Sequence, residues 1–163
     1  MKDLKLQIRI EEYNSENELP ASEQHLLQQA RMINTQAYAP YSNFKVGAAV
    51  ELDNGEIILG NNQENVAYPS GLCAERVALF YAHSQFPGVR IRKIAIVARS
   101  DDFSILNPVT PCGSCRQAIA EYQNLYNEPI RILMQGSSGK VFAVNSIADL
   151  LPLMFRADEL KKK

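Results

Sequence analysis

Apolar and polar residues alternate at the start of the chain: Leu4, Leu6, Ile8 and Ile10 interleave with Lys5, Gln7, Arg9 and Glu11. A period of two belongs to a strand with one covered face, so the pattern predicts an extra N-terminal strand within residues 1–13. Its aliphatic face is expected against an added sheet edge or another subunit. A polar stretch over 13–20 follows, and then the period changes. Leu26, Leu27, Ala30, Ile33 and Ala37 fall at helical spacing, with Ser22 as the candidate cap. Ala39-Pro40-Tyr41-Ser42 stops that helix. Residues 44–52 read as a strand, Asp53-Asn54-Gly55 as a hairpin turn, and 56–59 as the returning strand.

A stretch rich in Gly and Asn leads to Cys73. Residues 74–86 read as a helix with Val77, Ala78, Tyr81 and Ala82 on one side. Residues 91–98 are strand-like, nearly continuously apolar from Ile94, which suits a central strand covered on both faces. Residues 101–111 read as loop and 112–125 as a helix. Short strands are expected at 130–134 and 141–144, and Ser146 is placed to cap a last short helix through 151. This order predicts an α/β domain in which helices cover a mixed sheet. No repeat or long linker divides the 163 residues, so one domain over 1–163 is expected.

Charge narrows the partners. The 17 basic and 18 acidic residues leave a net charge of -1, which gives no general attraction to nucleic acid. The terminal basic run 161–163 reads as a solvated tail. No apolar run reaches the roughly 20 residues of a membrane span, and the N-terminus lacks the apolar stretch of a signal peptide. A cytoplasmic protein without membrane contact is expected. The three cysteines cannot all pair within one chain, and cytosolic thiols stay reduced, so metal binding or chemistry explains them better than a disulfide framework.

Two motifs carry that chemistry: Cys73-Ala74-Glu75 and Pro111-Cys112-Gly113-Ser114-Cys115. Each falls at an expected helix start. The positive end of a helix lowers thiol pKa and favours the thiolate that metals require. Two helix starts aimed at one spot would gather three thiols and a carboxylate. Three thiolates suit zinc, and the absence of a fourth cysteine leaves a position open for water, whose pKa the metal brings towards about 7. Glu75 is then the nearby base. The plainer readings are cysteines buried as small apolar residues, or a structural zinc site completed by His25 or His83.

The chain resembles the cytidine deaminase family from about residue 30 to 160. The resemblance rests on Ala39-Pro40-Tyr41-Ser42-Asn43-Phe44-Lys45-Val46-Gly47-Ala48-Ala49, Gly60-Asn61-Asn62-Gln63-Glu64-Asn65, Cys73-Ala74-Glu75-Arg76, Pro111-Cys112-Gly113-Ser114-Cys115-Arg116-Gln117, and Leu150-Leu151-Pro152 followed by Phe155. Cysteine rather than histidine at position 73 is similar to the small homotetrameric branch. The resemblance implies a three-layer α/β/α fold, and one zinc per subunit held by Cys73, Cys112 and Cys115. It implies that Glu75 moves the protons as cytidine or deoxycytidine becomes uridine or deoxyuridine plus ammonia. It assigns Asn62 and Glu64 to the ribose, Phe44 to the base pocket, and the backbone N–H of Ala74 to the base carbonyl. Phe155 would complete a neighbouring subunit's site, with Tyr68 at the same interface. Arg76 would donate to the thiolates and draw off their excess negative charge, or else be a surface arginine. Arg116 and Gln117 would support. A deaminase of a modified nucleoside, such as a blasticidin-type antibiotic, and a non-catalytic zinc-stabilised binding module are the alternatives.

Overall fold

The computed structural model describes residues 1–156. The basic run at 161–163 and the far end of the family resemblance lie outside them. The regular elements are β1 (Glu11–Tyr13), α1 (Ala21–Asn34), β2 (Phe44–Leu52), β3 (Ile57–Asn61), α2 (Ala74–Gln85), β4 (Ile91–Ser100), α3 (Gly113–Tyr126), β5 (Arg131–Gln135) and β6 (Val141–Val144), with short 3-10 turns between some of them. The strands form one sheet in the order β1-β6-β5-β4-β2-β3. Only β4 and β5 pair in parallel; β2 runs antiparallel to both β3 and β4. Hence β3, β4 and β5 all point the same way.

The alternation of side chains along β4 shows why the sheet is covered on both faces. Ile94 and Ile96 join Ile132, Met134 and Val50 on one face, under Ala78, Leu79 and Ala82 of α2 and Ile119 and Ala120 of α3. Ala95 and Val97 join Ala49, Leu133 and Ala143 on the other, under Leu26, Leu27 and Ala30 of α1. The fold is therefore α/β in three layers, as the family resemblance implies. Helix α1 lies very close to the sheet at Gly47, where a Cβ would fall 2.0 Å from the Ala30 carbonyl oxygen.

Two local expectations need correction. Ser22 does not cap α1. Pro20 holds the cap position without a side-chain bond, its carbonyl accepting from the N–H of Glu23 and Gln24, while Ser22 Oγ lies 3.4 Å from Lys93 Nζ. The N-terminal strand survives only at its end: Glu11–Tyr13 pair with β6, and residues 1–10 take no regular structure. The reason is the shortness of β6. Glu11 already faces Ala143, and β6 ends at Val144, so at most one further residue of β6 remains for the preceding segment to pair with. Leu4, Leu6, Ile8 and Ile10 are 83, 60, 50 and 49% exposed. Ser146 does cap as expected, accepting from the Ala148 N–H at the start of the turn Ile147–Asp149.

Arg131 fastens the edge of the sheet to α1. Its guanidinium makes paired bonds to Glu23 at 2.7 and 3.2 Å, reaches Glu11 at 2.9 Å, and donates to Asn145 Oδ1 at 2.6 Å. Glu23 is only 5% exposed, and Arg131 is the cation paired with it. Arg131→Ala leaves that carboxylate buried and unpaired, and is expected to cost about 3 kcal/mol, read as a lower urea midpoint. A midpoint equal to that of the parent would refute this role.

Candidate metal centre and adjoining pocket

Because β3 and β4 run the same way, the helices that follow them begin at the same end of the sheet. Helix α2 follows β3 and α3 follows β4, so both helix N-termini open at the carboxyl ends of these strands, the usual place for a ligand in an α/β sheet. Gly60 lets α2 sit close to β3: a Cβ there would lie 2.6 Å from Ala78 N and 2.7 Å from the Ala74 carbonyl oxygen. Cys73 and Cys112 take the cap positions in extended backbone, and neither thiol is used as a cap. Cys115 lies one turn into α3 and is fully buried.

The three sulfurs lie within 4.8 Å of one another, with Cys73 and Cys112 3.9 Å apart. Tetrahedral zinc with Zn–S bonds of about 2.3 Å needs sulfurs about 3.8 Å apart, so this donor set fits that ion in both chemistry and spacing. Arg76, one helical turn beyond Cys73, sets Nη2 3.9 Å from its sulfur. Arg76 Nε is buried and finds no hydrogen-bond partner among the described residues. A hydrogen bond from Cys115, helped by Arg76 and Cys112, brings the Cys73 thiol down to about 5. The donor itself, Cys115, is pushed up. Glu75 is 4% exposed. Burial, with the nearby charge of Cys73, raises its pKa above the ordinary carboxylate value.

A cavity of about 620 Å³ opens beside the sulfurs. Of the residues singled out in the sequence, Cys73, Glu75, Arg76 and Cys112 line it, together with Phe44, Asn62, Glu64 and Tyr68. The Asn62 amide is fixed at both ends, Oδ1 accepting from Val46 N at 2.7 Å and Nδ2 donating to the Phe44 carbonyl at 2.9 Å. Glu64 accepts from the N–H groups of Tyr41 at 2.8 Å and Ser42 at 3.3 Å and from the Ser42 hydroxyl. The Ser42 hydroxyl is the largest cause that holds its pKa below the usual range. Ala74 is fully buried in the first turn of α2 and, like Cys115 and Phe155, is not part of the cavity wall. Phe155 is 71% exposed, its carbonyl accepting from Gln117 Nε2 at 3.0 Å.

Tyr41, Ser42 and Thr110 are among the wall residues that had no role assigned from the sequence. Tyr41 meets Tyr68 edge to face with centroids 6.2 Å apart; Ser42 anchors Glu64; Thr110 lies on the loop before Cys112. Tyr41 and Ser42 belong to a motif already visible in the chain, whereas nothing marks Thr110. Its place follows from Arg116, which binds the Pro111 carbonyl at 2.8 Å, Thr110 Oγ1 at 3.2 Å and the Leu150 carbonyl at 2.8 Å. Arg116 thus ties the residues entering the Cys112 cap to the C-terminal segment.

A family profile described as the cytidine and deoxycytidylate deaminase zinc-binding region matches residues 20–126. A protein named cytidine deaminase from Sporosarcina psychrophila is 39% identical over 136 residues, 83% of this chain and 92% of that protein. Another of that name from Halalkalibacterium halodurans is 38% identical over 138 residues, 84% and 96% of the two. The fold is similar to a crystal structure of cytidine deaminase from Burkholderia pseudomallei, with a TM-score of 0.69, 37% identity, and coverage of 80% of this chain and 97% of that one.

Arg116→Ala keeps all three thiols but releases the carbonyl just before Cys112. Zinc affinity is expected to fall about tenfold in chelator competition, the effect usual for a group that orients a ligand. Affinity equal to that of the parent would remove Arg116 from the support of the centre.

Proposed function

The chain belongs to the cytidine and deoxycytidylate deaminase family, and on that premise we propose that it hydrolyses free cytidine and 2′-deoxycytidine to uridine and 2′-deoxyuridine, releasing ammonia. One observation carries the reading: a buried carboxylate, Glu75, stands beside three clustered thiols and lines a cavity that also presents Asn62 and Glu64. Zinc held by Cys73, Cys112 and Cys115, one per subunit, supplies the Lewis acidity that makes water a nucleophile near neutral pH.

The residues of the chain do the rest. Burial makes Glu75 hold a proton more readily than an exposed carboxylate, as suits a group that takes a proton from the attacking water, lends it to the ring nitrogen and then delivers one to the departing amino group. Phe44 supports the base, and the Ala74 N–H, at the positive end of α2, receives its carbonyl. The bonds that fix Asn62 leave its second amide hydrogen for a sugar hydroxyl. Glu64, kept ionised by Ser42 and the Tyr41 N–H, accepts another and repels a phosphate. Arg76 draws negative charge from the thiolates.

The working assembly is a homotetramer of one-domain subunits acting in cytoplasmic pyrimidine salvage. Phe155 closes a neighbour's pocket, and Tyr68 lies at the same contact. The high exposure of both rings, 71 and 76%, supports this. Nucleic acid and membranes are not partners. No helix among the described residues is long and apolar enough to cross a membrane.

Ammonia release from cytidine, deoxycytidine and cytidine monophosphate tests the reading. Both nucleosides are expected to turn over and the monophosphate not. Glu75→Gln is expected to retain zinc and lose activity by about a thousandfold. Zinc-loaded protein that turns over neither nucleoside would overturn the substrate assignment and point to a modified nucleoside or a binding role.

Arg76→Ala probes the charge on the sulfurs. Turnover is expected to fall about tenfold while KM changes much less. Unchanged turnover would reduce Arg76 to a helix-surface residue.

A further inference from the structure

Residues 1–10 have no part in the pocket, yet four of them present large aliphatic side chains to solvent. They lead directly into β1, which pairs with β6 on one side and with no described strand on the other. An alternating aliphatic segment continuous with an open sheet edge is a template for another strand. The Arg9 N–H turns towards its own chain, 3.2 Å from Asp149 Oδ1. In an extended segment, therefore, the N–H groups of Leu4, Leu6, Ile8 and Ile10 face the open edge.

We propose that this arm pairs antiparallel with the same arm of a second copy, about a twofold axis at Leu6, joining two sheets edge to edge. The sequence selects both the partner and the register. Twofold pairing that sets at least three of these four aliphatic residues against one another allows centres at Leu6, Gln7 or Ile8. A centre at Gln7 opposes Lys5 to Arg9 and Asp3 to Glu11, two like-charge pairs. A centre at Ile8 needs Glu11 to meet Lys5, but the Glu11 carboxylate already binds Arg131 at 2.9 Å and Asn145 at 3.1 Å. A centre at Leu6 opposes Asp3 to Arg9, Leu4 to Ile8 and Leu6 to itself, and leaves Lys5 facing neutral Gln7. It draws only on residues that the chain's own sheet leaves unpaired. The self-complementary charge pattern is what favours a second copy over a different protein.

The pairing stands apart from the deamination reading, because it involves no residue of the pocket. Its test is a cross-link. Opposed residues in an antiparallel pair have Cα atoms about 5.5 Å apart, within reach of a disulfide. Gln7 would lie two residues out of register with its copy, at about 8 Å, beyond disulfide reach. Zinc-loaded Leu6→Cys, Gln7→Cys and parent protein would be oxidised mildly and run on a non-reducing denaturing gel. Leu6→Cys is expected to convert to a covalent dimer, with the other two remaining single chains. A Leu6→Cys chain that stays single, or equal cross-linking at positions 6 and 7, overturns the proposal. Ammonia release from the same samples reports separately on the pocket.

Discussion

The direction of three strands governs the rest of the molecule. With β3, β4 and β5 parallel, the chain must return along the sheet twice, and helices α2 and α3 are those returns. Both lie on the same face and both begin at the same end. Their free N–H groups and positive dipole ends therefore converge on one place. Anything negative gathers there favourably, and the chain puts its thiols in those first turns. A sheet with β3 reversed would carry the same residues and assemble nothing.

The groups around the thiols add to the effect of the converging helix ends. Here a hydrogen bond from Cys115 and the positive charge of Arg76 hold the Cys73 thiol below its ordinary pKa. One site is thus biased towards thiolate before any metal enters, which lowers the proton cost of metal binding. The same crowding of negative charge, with burial, opposes ionisation of Glu75. One small region therefore pushes neighbouring acids in opposite directions.

Around this centre, rigidity comes from backbone contacts more than from large side chains. Gly60 allows α2 to touch β3. Asn62 ties the end of that strand to β2. Arg116 holds the approach to Cys112 against the segment at Leu150. On the opposite side of the sheet, Arg131 secures α1 and the short edge strand. Each device fixes a piece of main chain, so the thiols and carboxylate are placed by the fold rather than by loops of their own.

Much of this was legible in the order of residues. Periodicity located the central strands and the helices because burial on one or two faces imposes a fixed period, as Ile94, Ala95, Ile96 and Val97 show. The Cys-x-Glu and Pro-Cys-x-x-Cys motifs named the reactive groups because local spacing sets which residues occupy a helix cap. The chain could not show where pairing stops. Residues 4–10 have a strand pattern as clear as any, but pairing needs a partner, and β6 is four residues long. Nor could it place Thr110 in the same wall as Phe44 and Asn62, or attach Ser42 to Glu64, since both depend on segments far apart in sequence meeting at one end of the sheet. The sequence by itself determined the elements and the chemistry each one carries, because those follow from neighbours along the chain. Only the tertiary structure decided that three sulfurs cluster and that two of them share one cavity with a buried carboxylate and a fixed polar wall, because strand direction and long-range contacts arise only when the whole sheet forms.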